Sequence, residues 1–169
     1  MHTRIYLTGY MASGKTVLGQ QLATELGFRF FDLDELIEQH TGKTIPTIFE
    51  TEGEPAFRAW EQEVLQQTFT WNNAVIACGG GTPCFLNNME AMNSNGLTVW
   101  LHTPLATIIS RLQQERHTRP LLANISAEEL EQKVTGHYQT RVPFYRQAKV
   151  WFKPEQQTLA EMAALVQHK

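Results

Sequence analysis

The octet Gly9-Tyr10-Met11-Ala12-Ser13-Gly14-Lys15-Thr16 constrains the fold more than any other stretch of the chain. It matches G-x-x-x-x-G-K-[ST], and its flanks supply the context that motif needs. The apolar run Ile5-Tyr6-Leu7-Thr8 ahead of it reads as a buried strand. Behind it Leu18, Leu22 and Leu26 recur every fourth residue, and Gly27 follows as a helix stop. A strand, a glycine-bounded loop and a helix start make an anion cradle. The loop N–H groups point inward, the helix dipole adds partial positive charge, and Lys15 supplies a full one. The Thr16 hydroxyl is placed to ligate Mg²⁺. The ligand these features call for is a nucleoside triphosphate. Ala12 stands where many such loops carry glycine, and the loop is expected to close around it as long as that residue keeps a negative φ.

At 169 residues, 42% apolar and 18% charged, the chain has the size and balance of one soluble domain with a real core. A net charge of -3 gives no reason to expect a nucleic-acid or membrane partner. No run approaches membrane-spanning length, and the N-terminus runs almost directly into a strand without a signal-peptide pattern. Cys78 and Cys84 have neither metal-ligand nor disulfide-framework spacing, and are expected to be reduced thiols of a cytoplasmic protein. The six histidines show no metal spacing either.

Apolar strand-like runs alternate with helical patterns along the whole chain. Strands are expected at Arg4–Thr8, Arg29–Leu33, Ala74–Cys78, Leu97–Leu101 and Lys149–Phe152. None alternates cleanly with polar residues, as befits strands covered on both faces. Thr44 can cap a short helix near Pro46, and Pro55 opens a longer one through about Phe69. Thr103-Pro104 reads as a cap followed by proline at the first helical position, and Ser126 with Glu129 as a capping box. Pro143 should kink or end the helix that box starts, and a last helix is expected over Thr158–Gln167. This alternation predicts an α/β fold, three layers with a five-stranded parallel sheet, whose ligands gather at the carboxyl ends of the strands.

Several further residues carry candidate chemistry. Asp32-Leu33-Asp34 ends the second strand, where extended chain would put both carboxylates on one face. One could hold a hydrated Mg²⁺ and the other accept the proton of an attacking hydroxyl, although either could simply cap the helix that follows. The strand at Ala74 runs into Gly79-Gly80-Gly81, where something approaches the backbone too closely for a Cβ and three N–H groups could receive a substrate oxygen. Arg58 and Glu61 are one turn apart, flanked by Phe49 and Phe57; the arginine fork suits a carboxylate, and a surface ion pair would look the same. Arg111, Arg116 and Arg119 surround a segment followed by Pro120-Leu121-Leu122, a candidate lid over the transferring phosphoryl group. Arg141 precedes Val142-Pro143-Phe144-Tyr145 and is a second possible carboxylate clamp.

Taken together, these pieces resemble the shikimate kinase family over essentially the whole chain. The resemblance rests on Gly9–Thr16, Asp32-Leu33-Asp34, Phe57-Arg58 with Glu61, Gly79-Gly80-Gly81, Arg119-Pro120-Leu121-Leu122 and Arg141-Val142-Pro143-Phe144-Tyr145. It implies a nucleoside-monophosphate-kinase-like P-loop fold and ATP-dependent phosphorylation of the shikimate 3-hydroxyl, on the route to chorismate and the aromatic amino acids. It implies a single kinase domain over residues 1–169, with a substrate-binding helical segment at about 33–61 and a lid at about 112–125. It makes Asp34 the residue that binds and deprotonates the hydroxyl, and Lys15 and Arg119 the phosphate-stabilising cations. Arg58 and Arg141 become the carboxylate clamp, Gly79, Gly80 and Gly81 line the pocket, and Phe49, Phe57 and Glu61 form its wall. Gly9, Met11, Ala12, Ser13, Gly14, Lys15, Thr16 and Val17 hold the nucleotide, with Arg111 near the adenine. Thr16 and Asp32 become the Mg²⁺ partners. The partners are then shikimate and ATP, with no nucleic acid or membrane, and the protein is a cytoplasmic monomer. The rival readings are another small-molecule kinase of this fold, such as a gluconate-type kinase, or a nucleotide-binding module without activity.

Overall fold

The computed structural model describes residues 4–115 and 125–168. Five parallel strands form one sheet: β1 (Arg4–Thr8), β2 (Arg29–Asp32), β3 (Ala74–Ala77), β4 (Leu97–Leu101) and β5 (Val150–Phe152), in the order β2-β3-β1-β4-β5. The central strands β1, β3 and β4 are buried almost throughout, which explains their unbroken apolar sequences. Alternate side chains feed two cores. Tyr6, Ile76 and Trp100 point to one face of the sheet, and Ile5, Leu7, Val75, Val99 and Leu101 to the other.

On the second face lie α1 (Lys15–Leu26) and α8 (Leu159–Gln167), through Leu22, Met162 and Val166. The first face carries the other helices: α2 (Leu33–Thr41), α3 (Ile45–Thr51), α4 (Gly53–Gln67), α5 (Asn88–Asn95), α6 (Leu105–Gln114) and α7 (Ala127–Tyr145). Helix α1 packs on the sheet closely enough that a β-carbon on Gly19 would lie 2.6 Å from the Phe30 ring and 3.0 Å from Leu7 Cδ1. Its end is set by Gly27 in the left-handed conformation, as the sequence indicates.

The expected capping box at Ser126 with Glu129 forms, and Thr158 with Glu161 makes a second one that the sequence reading did not name. Several local expectations need correction, among them β3, which ends at Ala77 rather than Cys78, and β5, which starts at Val150 rather than Lys149. β2 stops at Asp32 rather than Leu33, because the Asp32 carboxylate accepts from the Asp34 N–H at 3.0 Å and caps α2. Helix α4 begins at Gly53, two residues before Pro55, and its last turn tightens into a 3₁₀ segment at Thr68–Thr70. Thr103 does not cap α6; its hydroxyl donates to Ser13 O at 3.0 Å, and Pro104 occupies the cap position. Pro143 lies in the last turn of α7, which ends two residues later at Tyr145, in keeping with the expectation. Helix α5 has no counterpart in the sequence reading: Asn88–Asn95 offers a weak apolar stripe, and Asn87 enters it at φ 56° without a side-chain cap.

Gly19→Val should lower stability by roughly 1–3 kcal/mol, because the helix cannot withdraw from the sheet without opening the core. Chemical denaturation checks this, and an unchanged midpoint would mean that α1 packs with slack.

Candidate active site

The loop between β1 and α1 closes around its own backbone. Gly9 at φ 141° and Gly14 at φ 96° take conformations that favour glycine. Gly14 is the N-cap of α1 and places no side chain over the helix start, which leaves the first N–H groups facing the loop. The Lys15 ammonium donates to Gly9 O at 2.9 Å and Tyr10 O at 2.8 Å. Desolvation lowers the Lys15 pKa to about 8, against the opposing pull of Asp34 and Asp32. Met11 and Val17 stand exposed on the rim.

Ala12 departs from expectation. Its φ is 59°, inside the left-handed region, which costs an alanine about 1–2 kcal/mol relative to the right-handed one. The surroundings hold it there. Arg111 Nη1 donates to Ala12 O at 2.8 Å, and Thr103 fixes the next carbonyl, that of Ser13. Arg111, which the resemblance put near an adenine, thus braces the phosphate loop directly.

At the neighbouring strand end, Thr16 Oγ1 lies 3.3 Å from Asp32 Oδ2. Asp32 and Asp34 do come together as the sequence suggested, but through the first turn of α2 rather than along a strand. Burial raises the Asp34 pKa from 3.8 to about 6, helped by the negative charges of Asp32 and Glu61 and opposed by Lys15.

Beyond β3 the three glycines meet three charged side chains. A β-carbon on Gly79 would lie 3.2 Å from Asp34 Oδ1, one on Gly80 3.2 Å from Arg141 Nη1, and one on Gly81 2.8 Å from Arg58 Nη2. The close approach that the glycines signal is therefore made by the protein's own groups, one each from α2, α7 and α4. The buried Tyr145 hydroxyl donates to Gly80 O and holds the turn.

Arg58 and Glu61 form a buried pair, not a surface one. Their side chains are 12% and 1% exposed, with Nη1 to Oε2 at 2.9 Å. The other Glu61 oxygen accepts from Thr82 Oγ1 at 2.6 Å. The Arg58 guanidinium also pairs with Glu54 at 3.0 Å, and lies 3.9 Å from the Phe85 ring centroid and 5.0 Å from that of Phe57. Phe49 packs on Phe57 with centroids 4.7 Å apart. Arg141 lies over the Tyr10 ring and makes no ion pair among the described residues. Glu54, Phe85, Tyr10, Thr82 and Tyr145 were missed as site residues. Tyr10 and Tyr145 lay inside quoted motifs without being given a role, and Glu54 left a signal in its spacing of four from Arg58 on one helix. Arg119, Arg116 and most of the expected lid at 112–125 lie outside the described residues.

The site therefore joins an anion cradle, a half-buried carboxylate and two arginines along one edge of the sheet. A family model described as shikimate kinase matches residues 11–168. The shikimate kinase of Phocaeicola vulgatus is 44% identical over 154 residues, which cover 91% of this chain and 88% of that protein. A crystal structure of shikimate kinase from Bacteroides thetaiotaomicron superposes with a TM-score of 0.89 at 36% identity, covering 99% of this chain and 98% of that one. The shikimate kinase of Acinetobacter baumannii, solved in complex with shikimate, gives a TM-score of 0.83 at 37% identity, covering 98% and 91% of the two chains. The chain belongs to the shikimate kinase family.

Proposed function

We propose that the protein transfers the terminal phosphoryl group of ATP to the 3-hydroxyl of shikimate, giving shikimate 3-phosphate and ADP on the route to chorismate. Family membership supports the activity, and the Acinetobacter baumannii relative is described in complex with shikimate. The observation that carries the residue roles is the position of Asp34, against Gly79 and within electrostatic reach of Lys15 on one side and of Glu61, the partner of Arg58, on the other.

In this reading the Arg58 and Arg141 guanidinium groups hold the acid's carboxylate, and Phe57 and Phe49 wall the ring. Asp34 accepts a hydrogen bond from the 3-hydroxyl and takes its proton as that oxygen bonds to the γ-phosphorus and the bond to the ADP oxygen breaks. The loop N–H groups, Lys15 and Arg119 stabilise the phosphoryl charge, so most of the catalysis is positioning and electrostatics. The segment 112–125 excludes water from the transfer.

The donors beside the cradle suit Mg²⁺. The Thr16 hydroxyl and the Asp32 carboxylate are adjacent hard oxygens, and among the described residues no cluster of three or more His, Cys, Asp or Glu could close around an ion. That matches a cation that keeps waters and phosphate oxygens as most of its ligands. When bound, it would neutralise phosphate charge during transfer. We read the enzyme as a monomer. The net charge of -3 and the absence, among the described residues, of a helix long and apolar enough to cross a membrane agree with a cytoplasmic enzyme.

A coupled ADP-release assay with Mg–ATP should show turnover with shikimate and little with gluconate. ATP binding without transfer to any hydroxy acid would favour the inactive module. Asp34→Asn should keep ATP binding and lose turnover by roughly 10²–10⁴-fold. Wild-type turnover should rise as pH climbs through about 6, where Asp34 loses its proton.

The same carboxylate carries a stability cost of known sign. Its folded pKa lies above its unfolded value of 3.8, so the fold binds the extra proton and loses stability as pH rises to about 6, with the full cost above that. Asp34→Asn should therefore stabilise the protein by roughly 2–3 kcal/mol at pH 8 and hardly at all at pH 4. Equal effects at both pH values in thermal denaturation would contradict the burial of this charge. Arg58→Ala should weaken shikimate binding by roughly 2–5 kcal/mol while sparing ATP; an unchanged KM for the acid would remove Arg58 from the clamp.

A further inference from the structure

Three of the five N–H groups of the Arg58 guanidinium are engaged within the protein. Its Nε and Nη2 lie along one edge, the edge whose two parallel donors best grip a carboxylate. Both donate to a single oxygen, Glu54 Oε1, at 3.2 and 3.0 Å. Nη1 donates to Glu61, and the rings of Phe85 and Phe57 lie within 5.0 Å. Beside the terminal nitrogens is Gly81, where even a β-carbon would collide.

The two carboxylates on Arg58 are held very differently. Glu61 is 1% exposed, and its second oxygen is bound by Thr82. Glu54 is 53% exposed, and its second oxygen has no hydrogen-bond partner among the described residues. Glu54 also lines, together with Arg141 and Phe85, a cavity of about 390 Å³. A carboxylate gripped by the Nε and Nη2 edge of Arg58 would stand where the Glu54 carboxylate now is, and of the two carboxylates on Arg58 only Glu54 is exposed enough to leave.

We propose that Glu54 is a built-in competitor for the substrate's carboxylate: it occupies the gripping edge of Arg58 in the ligand-free enzyme and must swing out for the acid to bind. This rests on the reading of Arg58 as a clamp. Glu54 keeps a partly buried cation paired between turnovers, and the exchange of one carboxylate for another leaves the charge on Arg58 balanced. The consequence is a specificity device. A neutral ligand cannot replace Glu54 on Arg58, whereas a carboxylate can.

Glu54→Gln separates competition from orientation, because the amide oxygen can still accept from Arg58 while the charge is gone. Calorimetric titration of shikimate into the nucleotide-free protein should give a Kd about two- to fivefold lower in the variant, the range expected for one half-exposed ion pair. The Kd for ATP should be unchanged, and the methyl ester of shikimate, which lacks the anion, should gain nothing. An unchanged or higher Kd for shikimate, or an equal gain for the ester, would overturn the proposal. Arg58→Ala titrated in parallel keeps the two readings apart. If it loses shikimate binding, the clamp stands and Glu54→Gln alone decides the competition. If it binds shikimate as the wild type does, the clamp itself fails, and this proposal with it.

Discussion

Three successive residues without side chains, at the carboxyl end of β3, make room for three charged groups that the chain brings from α2, α4 and α7. Everything chemical in the site hangs on that turn. A β-carbon at Gly81 would force Arg58 aside, and one at Gly79 or Gly80 would press on Asp34 or Arg141, so the three charges would no longer sit together as they do. The parallel sheet supplies the remaining condition. Because β1 and β3 are neighbours in register, the loop after β1 and the glycine turn after β3 open side by side. Tyr145, whose hydroxyl binds Gly80 O, ties the end of α7 to the same turn.

The arrangement concentrates charge where it is costly to hold. Arg58 and Glu61 are taken out of water together, and such a pair tolerates burial only while each member keeps its partners. Asp34 is worse placed, with the carboxylates of Asp32, Glu61 and Glu38 nearby and Lys15 as the opposing charge. Ala12 adds backbone strain, braced by Arg111. These are the places where local rules are broken, and they coincide with the proposed chemistry rather than with the core. The core itself is ordinary, with aliphatic strands sandwiched between helices that bury Leu, Ile and Met.

Much of this could be read from residue order. The cradle, five strands, the capping box at Ser126 and the glycine turn follow from motifs whose physics is local. What stayed hidden depends on distant partners. Periodicity could not tell a surface Arg58–Glu61 pair from a buried one, because burial is decided by Thr82 and the glycine turn. Asp32 looked like strand residue and cap at once, and only its bond to the Asp34 N–H decides. Thr103 looked like a helix cap until its hydroxyl was found on Ser13 O, 90 residues away in sequence. Glu54 was legible by spacing, but its role emerges only from the cavity it shares with Arg141. The left-handed φ of Ala12 reflects the tertiary bracing of its carbonyl, which alanine's own preferences oppose.

The most direct test of a single cleft built on the glycine turn is a crystal structure with shikimate and a non-hydrolysable ATP analogue bound together. The account predicts the acid's carboxylate within hydrogen-bond distance of both Arg58 and Arg141, with its 3-hydroxyl on Asp34 and facing the terminal phosphate. Shikimate bound elsewhere, or held with neither guanidinium touching its carboxylate, would contradict it.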